Sequence, residues 1–355
     1  MRQGLDDVIA AETVMSHVDG EAGRLIIRGH DLEQLAGHMH YEDACALLWN
    51  GYCPTENLRA ELGVARERAF QLFLPFVDKL KGLSAVEAMR LLLAAMPDIA
   101  QDLEPIHALG GAGVAAAFAS RVVLGLAPVI PDANSSHAED VLRMIRGHSG
   151  DRAEVQAFET YMVAVIDHGL NASTFAARVV ASTAAGLPSA VVAALCALKG
   201  PLHGGAPGPV LDMFDAIASP EEAGAWIASA LERGERLMGF GHRVYRVRDP
   251  RANVLKAAVG QLKGRANRIL FAEAVEVAAL KALRDFKSAR RLDTNVEFYT
   301  ALLLEALAIP RIAFTPVFAL ARTAGWIGHI REQEKTGRLI RPQSHYIGPL
   351  PNKAA

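Results

Sequence analysis

Apolar positions recur at helical spacing through most of the chain, and sustained two-residue alternation is rare. After Pro188, the residues Val191, Val192, Leu195 and Leu198 fall on one side of a helix that Lys199-Gly200-Pro201 should end. Asp249-Pro250 reads as an N-cap followed by a first-turn proline. Thr294-Asn295-Val296-Glu297 has the pattern of a capping box, with Val296, Leu303 and Leu307 following at helical spacing. One segment reads as strand: Thr13 to Val18 and Arg24 to Arg28 flank the turn Asp19 to Gly23 and predict a short hairpin. From Val179 to Leu198 the chain is uncharged, but Ser182, Thr183, Gly186, Pro188 and Ser189 interrupt it. That predicts two buried helices, not a membrane span. The expectation is an all-α, multi-helical fold with one short N-terminal β-hairpin.

Composition narrows the class. The 355 residues are 51% hydrophobic and 6% aromatic, which excludes global disorder and favours helix over sheet. At roughly 150 residues per domain the length suggests about two domains, yet no repeat or linker marks a boundary. Lys and Arg number 37 against 39 Asp and Glu, a net charge of −2. No whole-protein field therefore draws nucleic acid or an anionic membrane, and neither is expected as a partner. Cys45, Cys53 and Cys196 form no C-x-x-C pair, so neither a disulfide framework nor a thiolate metal site is expected. With an N-terminal stretch lacking an apolar signal-peptide core, a reducing, cytoplasmic setting is the expectation.

Gly111-Ala-Gly113-Val-Ala-Ala116 fits G-x-G-x-x-A, but helical patterns surround it and no strand precedes it, so it reads as a close helix contact. Walker A, H-E-x-x-H and G-x-S-x-G patterns are absent. Among the histidines, His17, His38, His40, His137 and His148 read as surface or cap residues. Three others sit among small and turn-forming residues: His168 in DHGLNAST, His203 in KGPLHGGAP and His242 in GFGHRVY. Together they point to a shared site. Gly204-Gly205 and Gly239/Gly241 would let backbone approach a ligand. From Arg243 to Arg251 four arginines (Arg243, Arg246, Arg248, Arg251) face one acid, Asp249, and Lys287, Arg290 and Arg291 form a second basic run. Arginine forks suit carboxylates and phosphates. The residues alone describe a helical enzyme using acid–base chemistry on a small polyanion, and they leave its reaction open.

The ordered set of segments resembles the citrate synthase family along nearly the whole chain. The segments are GLDDVIAAET, GRLIIRGHDLEQLA, SSHAED (135–140), DHGLNASTFAAR (167–178), GPLHGGA, GFGHRVY with DPR, NVEFY, Arg322 and Arg341-Pro342. The resemblance implies an all-α homodimer of the short form, without an N-terminal β extension. It implies a large domain of residues 1–204 plus 309–355 and an inserted small domain of 205–308. It also implies the roles. His168, His242, Arg251 and Arg322 would bind oxaloacetate, with Arg341 reaching it from the partner subunit. His203 would stabilise the enol of acetyl-CoA, and His242 would polarise the ketone. Asn171 would order the His168 segment. Leu237, Met238, Gly239, Phe240, Gly241, Arg246, Lys256 and Arg290 would bind CoA, with Lys287 and Arg291 as weaker phosphate candidates. No cofactor or metal is implied, acetyl-CoA being a substrate.

One position departs from the family pattern. The family base is an aspartate in N-V-D, and this chain has Asn295-Val296-Glu297. The extra methylene moves a carboxylate by about 1.5 Å if extended, and a misplacement of about 1 Å can cost roughly 100-fold. Three readings compete: Glu297 is still the base in an adjusted segment; it serves another acyl-CoA or a related reaction; or it is only a capping-box residue in a low-activity or non-catalytic ligand-binding paralogue. The first is favoured, because the other motif positions are filled. Thr294, for the usual proline, and Ala301, for the usual glycine, fit a segment that changed as a unit. The implied reaction is condensation of acetyl-CoA with oxaloacetate, with 2-methylcitrate synthesis from propionyl-CoA as the alternative.

Overall fold

The computed structural model describes residues 3–5, 8–99, 103–203, 207–262, 264, 266–286 and 292–349. Gly204, Gly205, Lys287, Arg290 and Arg291 therefore lie outside the described residues, as does the tail beyond Pro349. The expected hairpin is present as β1 (Ser16–Asp19) and β2 (Arg24–Ile27), antiparallel with Ser16 opposite Ile27 and Asp19 opposite Arg24. A third strand, β3 (His30–Asp31), extends the sheet in the order β1-β2-β3. Sequence pattern missed it because two residues carry no alternation. It forms because Arg28 (φ 50°) and Gly29 (φ 89°) are both left-handed, the geometry of a two-residue hairpin turn.

The other regular elements of the described chain are helices, apart from an isolated bridge between Phe240 and Thr294. The first half comprises α1 (Leu32–Leu35), α2 (Tyr41–Trp49), α3 (Leu58–Phe73), α4 (Ala85–Ala94), α5 (Glu104–Val123), α6 (His137–Arg146), α7 (Arg152–Ala164), α8 (Ala172–Ala181) and α9 (Leu187–Leu198). The second comprises α10 (Pro207–Ala216), α11 (Ala223–Glu232), α12 (Pro250–Gly260), α13 (Ala266–Phe286), α14 (Val296–Ala306) and α15 (Phe314–Thr336). The uncharged stretch resolves as expected into the end of α8 and all of α9, parted by left-handed Ala184 (φ 58°) and Gly186 (φ 85°).

Two long buried helices organise the core. Helix α5 is enclosed by α3, α4, α6 and α15, and α15 also packs against α2, α7, α8 and α9. The G-x-G-x-x-A run lies within α5, where a Cβ on Gly113 would stand 2.7 Å from the His137 ring. That run is a close packing contact, as expected. The same contact corrects the reading of His137 as a surface or cap residue. It is fully buried and stacked on Tyr41 at 5.8 Å, and burial drives its pKa well below the usual imidazole value.

A second correction concerns the start of α14. Asn295 is the N-cap, its Oδ1 accepting the Glu297 N–H at 3.0 Å. The Thr294 hydroxyl instead donates to Glu276 Oε1 at 2.6 Å, so the predicted capping box does not form. Glu276 on α13 also accepts from Tyr299 Oη at 2.7 Å and Arg248 Nη1 at 2.5 Å. This buried knot fixes the cap choice across the fold, and it leaves the Glu297 carboxyl without a capping duty.

Candidate active site

His168 follows α7 in a tight turn held from three directions. Gly169 adopts φ 58°, and its N–H donates to Ser16 Oγ of β1 at 2.8 Å. The Asp167 carboxylate accepts from the Ser16 hydroxyl and lies 3.2 Å from His329 Nε2 on α15. Asn171 N-caps α8, accepting the Ser173 and Thr174 N–H groups at 3.1 Å each. The same residue bonds back to the Gly169 carbonyl, which ties the turn to the start of α8. His329 was not singled out by the sequence, since nothing near it in the chain signals a buried polar partner.

The hairpin also steadies the second histidine. The Gly20 carbonyl accepts the Arg246 N–H at 2.9 Å, docking the β1–β2 turn on the loop that carries His242. His242 Nδ1 accepts the backbone N–H groups of Val244 (3.0 Å) and Tyr245 (3.1 Å). In the neutral ring the proton is therefore on Nε2. The rings of His168 and His242 meet edge to face at 5.3 Å, and Tyr245 completes the group with its Oη 3.2 Å from His168 Nε2. Tyr245 was given no role from the sequence, although it stands in the same motif three residues after His242. Burial, then Arg251, depresses both imidazoles: His242 to about 4 and His168 well below its usual value.

Two buried arginines face this pair. Arg251, at the start of α12, donates from Nε and Nη2 to the two Asp249 oxygens at 2.9 and 2.7 Å. Burial opposes its charge, but Asp249 holds its pKa above the ordinary arginine value. Asp249 also accepts the Val296 N–H at 3.2 Å, so it aligns Arg251 with the start of α14. Arg322 lies in mid-α15, 1% exposed, with Nε donating to the Val165 carbonyl at 2.5 Å and its guanidinium 5.0 Å above the Phe318 ring. Its Nη2 has no hydrogen-bond partner among the described residues. Burial lowers its pKa to about 10.

The remaining pair supplies acid–base groups. His203 follows α9, with Nε2 accepting the Ser173 N–H at 3.3 Å and lying 2.9 Å from Ser173 Oγ. The Ser173 N–H, shared with Asn171 Oδ1, points at Nε2 and favours the tautomer with the ring proton on Nδ1. Burial, then the charge of Arg322, lowers its pKa to about 4. The Glu297 carboxyl is raised to about 7, chiefly by desolvation, with Arg251 and Arg322 opposing and Asp249 reinforcing. His168, His203, His242, Arg251, Arg322 and Glu297 thus share one electrostatic environment.

The proposed CoA loop is stitched to the Glu297 segment. Gly241 N–H donates to the Asp293 carbonyl at 2.7 Å, Asn295 N–H to the Gly239 carbonyl at 2.9 Å, and Phe240 pairs with Thr294. Gly239 (φ 86°) and Gly241 (φ 83°) need left-handed backbone, and Leu237 and Met238 lead into them with Leu237 buried. Arg246 is exposed. Lys256 pairs with Glu273 at 2.8 Å and lies 5.7 Å from the Tyr299 ring centre, turned toward α13. Arg341 is exposed in the irregular segment after α15, and no described contact brings it to these groups within its own chain. Arg290 lies outside the described residues.

Helix α15 approaches the His168 turn so closely that Gly325 has no room for a side chain: a Cβ would stand 2.3 Å from the Ile166 carbonyl and 2.7 Å from Asp167 Oδ1. Gly325→Ala gains about 1 kcal/mol of helix propensity but incurs overpacking of about 1–3 kcal/mol against fixed backbone. The expected result is a lower urea midpoint with unchanged slope, and weaker activity through displacement of the His168 turn from Arg322.

The family model described as "Citrate synthase, C-terminal domain" matches residues 4–343. The chain is 37% identical over 378 residues to the citrate synthase of Haloferax volcanii, covering 98% of this chain and 96% of that protein. It is 34% identical over 363 residues to citrate synthase 2 of Bacillus subtilis, covering 98% and 96%. Its fold matches the crystal structure of Thermotoga maritima citrate synthase with a TM-score of 0.86 at 31% identity, over 100% of this chain and 98% of that one. It also matches Thermoplasma acidophilum citrate synthase in ternary complex with carboxymethyl coenzyme A and oxaloacetate, TM-score 0.87 at 29% identity, over 99% and 97%. Fold and site define an all-α acyltransferase. The chain belongs to the citrate synthase family.

Proposed function

We propose that this protein condenses acetyl-CoA with oxaloacetate to citrate and CoA. The observation that carries the reading is the combination of a carboxyl raised to about 7, two neutral imidazoles with defined tautomers, and two buried arginines in one place. A thioester methyl is a very weak carbon acid, so removing its proton requires stabilisation of the enol oxygen in the same step. Glu297 takes the methyl proton as the C–H bond breaks, and His203 Nδ1–H donates to the thioester oxygen. The enol carbon then attacks the oxaloacetate ketone, whose oxygen is held by His242 Nε2–H; as the C–C bond forms, the developing alkoxide receives, relayed through that ring, the proton Glu297 took from the methyl group, which restores the carboxylate and the neutral imidazole. Arg251 and Arg322 hold the substrate carboxylates. Water then cleaves the citryl thioester and releases CoA.

The groups come from both parts of the implied division. His168, His203 and Arg322 belong to residues 1–204 and 309–355, and His242, Arg251 and Glu297 to 205–308. In this reading, closure of the inserted part over the rest excludes water during the reaction. Bound CoA would lie along Leu237 to Gly241, with Arg246, Lys256 and Arg290 as its basic contacts.

The test is CoA-thiol release with oxaloacetate and either acetyl-CoA or propionyl-CoA. Release with acetyl-CoA, about tenfold or more above propionyl-CoA, is expected, because one methylene in a pocket is worth about 1–3 kcal/mol. The reverse preference would move the reading to 2-methylcitrate synthesis. No release with any acyl-CoA and 2-oxoacid would overturn both and leave a ligand-binding paralogue. The same reading places Arg341 across a homodimer interface. Arg341→Ala and His203→Ala subunits, each inactive alone, should form heterodimers with about half the parental activity, since one of two sites is then complete. Verified heterodimers without activity would count against the shared site.

A further inference from the structure

Tyr161 has no part in the site as drawn so far. It lies near the C-terminal end of α7, fully buried, its ring 6.3 Å from that of Phe158. Its hydroxyl is enclosed, yet it makes no hydrogen bond among the described residues. Phenylalanine would fill the same space without burying an unpaired polar atom.

The surroundings say what the hydroxyl is for. Helix α7 packs against α12 and α14, and α15 crosses its end. Arg322 is tethered there by its bond to the Val165 carbonyl, and Val165 N–H in turn bonds the Tyr161 carbonyl at 3.1 Å, one helical turn away. Apart from burial, the influences on the phenol are the charges of Glu297, Arg322 and Arg251. Thus two enclosed donors, Tyr161 Oη–H and Arg322 Nη2–H, are unpartnered at the same helix end. An acceptor with two oxygens satisfies both, and a carboxylate beside Arg251 has that form.

We propose that Tyr161 is a further substrate-binding residue, its hydroxyl donating to the oxaloacetate carboxylate that Arg322 holds. This rests on the condensation reading above. The unpaired hydroxyl then costs stability in the empty enzyme and is satisfied when substrate enters.

The experiment uses Tyr161→Phe in the full-length protein, with oxaloacetate binding measured by calorimetry in the absence of acyl-CoA. Affinity should fall about 10- to 100-fold, the range for losing a hydrogen bond to a charged group. The Tm without ligand should stay equal or rise, and the Tm increase produced by a fixed oxaloacetate concentration should shrink. In turnover the KM for oxaloacetate should rise more than kcat falls. Unchanged oxaloacetate affinity overturns the proposal. If kcat alone falls, the hydroxyl serves Glu297 instead, and if the ligand-free Tm alone falls, its role is structural. If the parent protein itself fails to bind oxaloacetate, the condensation reading falls and this proposal with it. If the parent binds and the variant binds equally well, this proposal alone falls.

Discussion

Glu297→Gln should lower CoA-thiol release by about 10²- to 10⁴-fold, the usual worth of a positioned general base, while oxaloacetate affinity stays within a few-fold. The amide keeps the size of the carboxyl and removes its basicity. Near-normal turnover would remove Glu297 from the role. The pH dependence carries the same information independently. Desolvation raises this carboxyl to about 7, so it is protonated and inactive as a base below that point. The kcat/KM of the parent should therefore fall about tenfold per unit below pH 7. The sign for stability is opposite. A carboxyl whose folded pKa lies above its unfolded value stabilises the fold fully only below the unfolded pKa, and that contribution is lost as pH rises through 7. At pH 8 the Gln variant should consequently melt no lower than the parent. Glu297→Asp separates fit from chemistry: with the segment adjusted around the longer side chain, it should lose about 100-fold by withdrawing the carboxylate by about 1 Å or more. A large gain would mark the glutamate as a handicap.

His203→Ala should reduce kcat by about 10²- to 10³-fold, the effect of removing one preorganised donor to a developing oxyanion. Its Nε2 accepts the Ser173 N–H, which is shared with Asn171 Oδ1, and this leaves Nδ1–H as the donor. With a pKa of about 4 the ring is neutral at pH 7, so the donor is an imidazole. Its titration should therefore leave no limb in the rate profile above pH 5. Because the enol forms after substrate binds, the KM values should move far less than kcat. Retained kcat with a lowered Tm would make His203 a brace for the Ser173 helix start and nothing more.

Much of this was legible along the chain. The hairpin, the Asp249-Pro250 helix start, the two helices either side of Gly186 and the positions of His168, His203 and His242 all follow from local turn and cap chemistry. The errors share a cause. His137 reads as a surface or cap residue because a histidine beside a helix start usually is one, and only the packing of Gly113 shows that it is enclosed. The local pattern places the cap of α14 at Thr294, but that hydroxyl donates to Glu276, eighteen residues earlier on another helix. Asp249 was read as a cap, which it is, but its second duty as the buried partner of Arg251 depends on the arginine folding back onto it.

The sequence by itself determined the class of fold and the three turn-flanked histidines, which rest on residue type and short spacing, while Arg322, Arg341 and the departure at Glu297 stood out only through the family resemblance. Tertiary structure alone decided how those groups are tuned. Desolvation and neighbouring charge raise Glu297 and depress three imidazoles, and both depend on what packs within a few ångströms across distant segments. The same holds for the ring tautomers, set by backbone donors at Ser173 and Val244. It holds for Tyr161 and Arg322, whose enclosed, unpartnered donors belong to one helix end only because α15 packs there against α7.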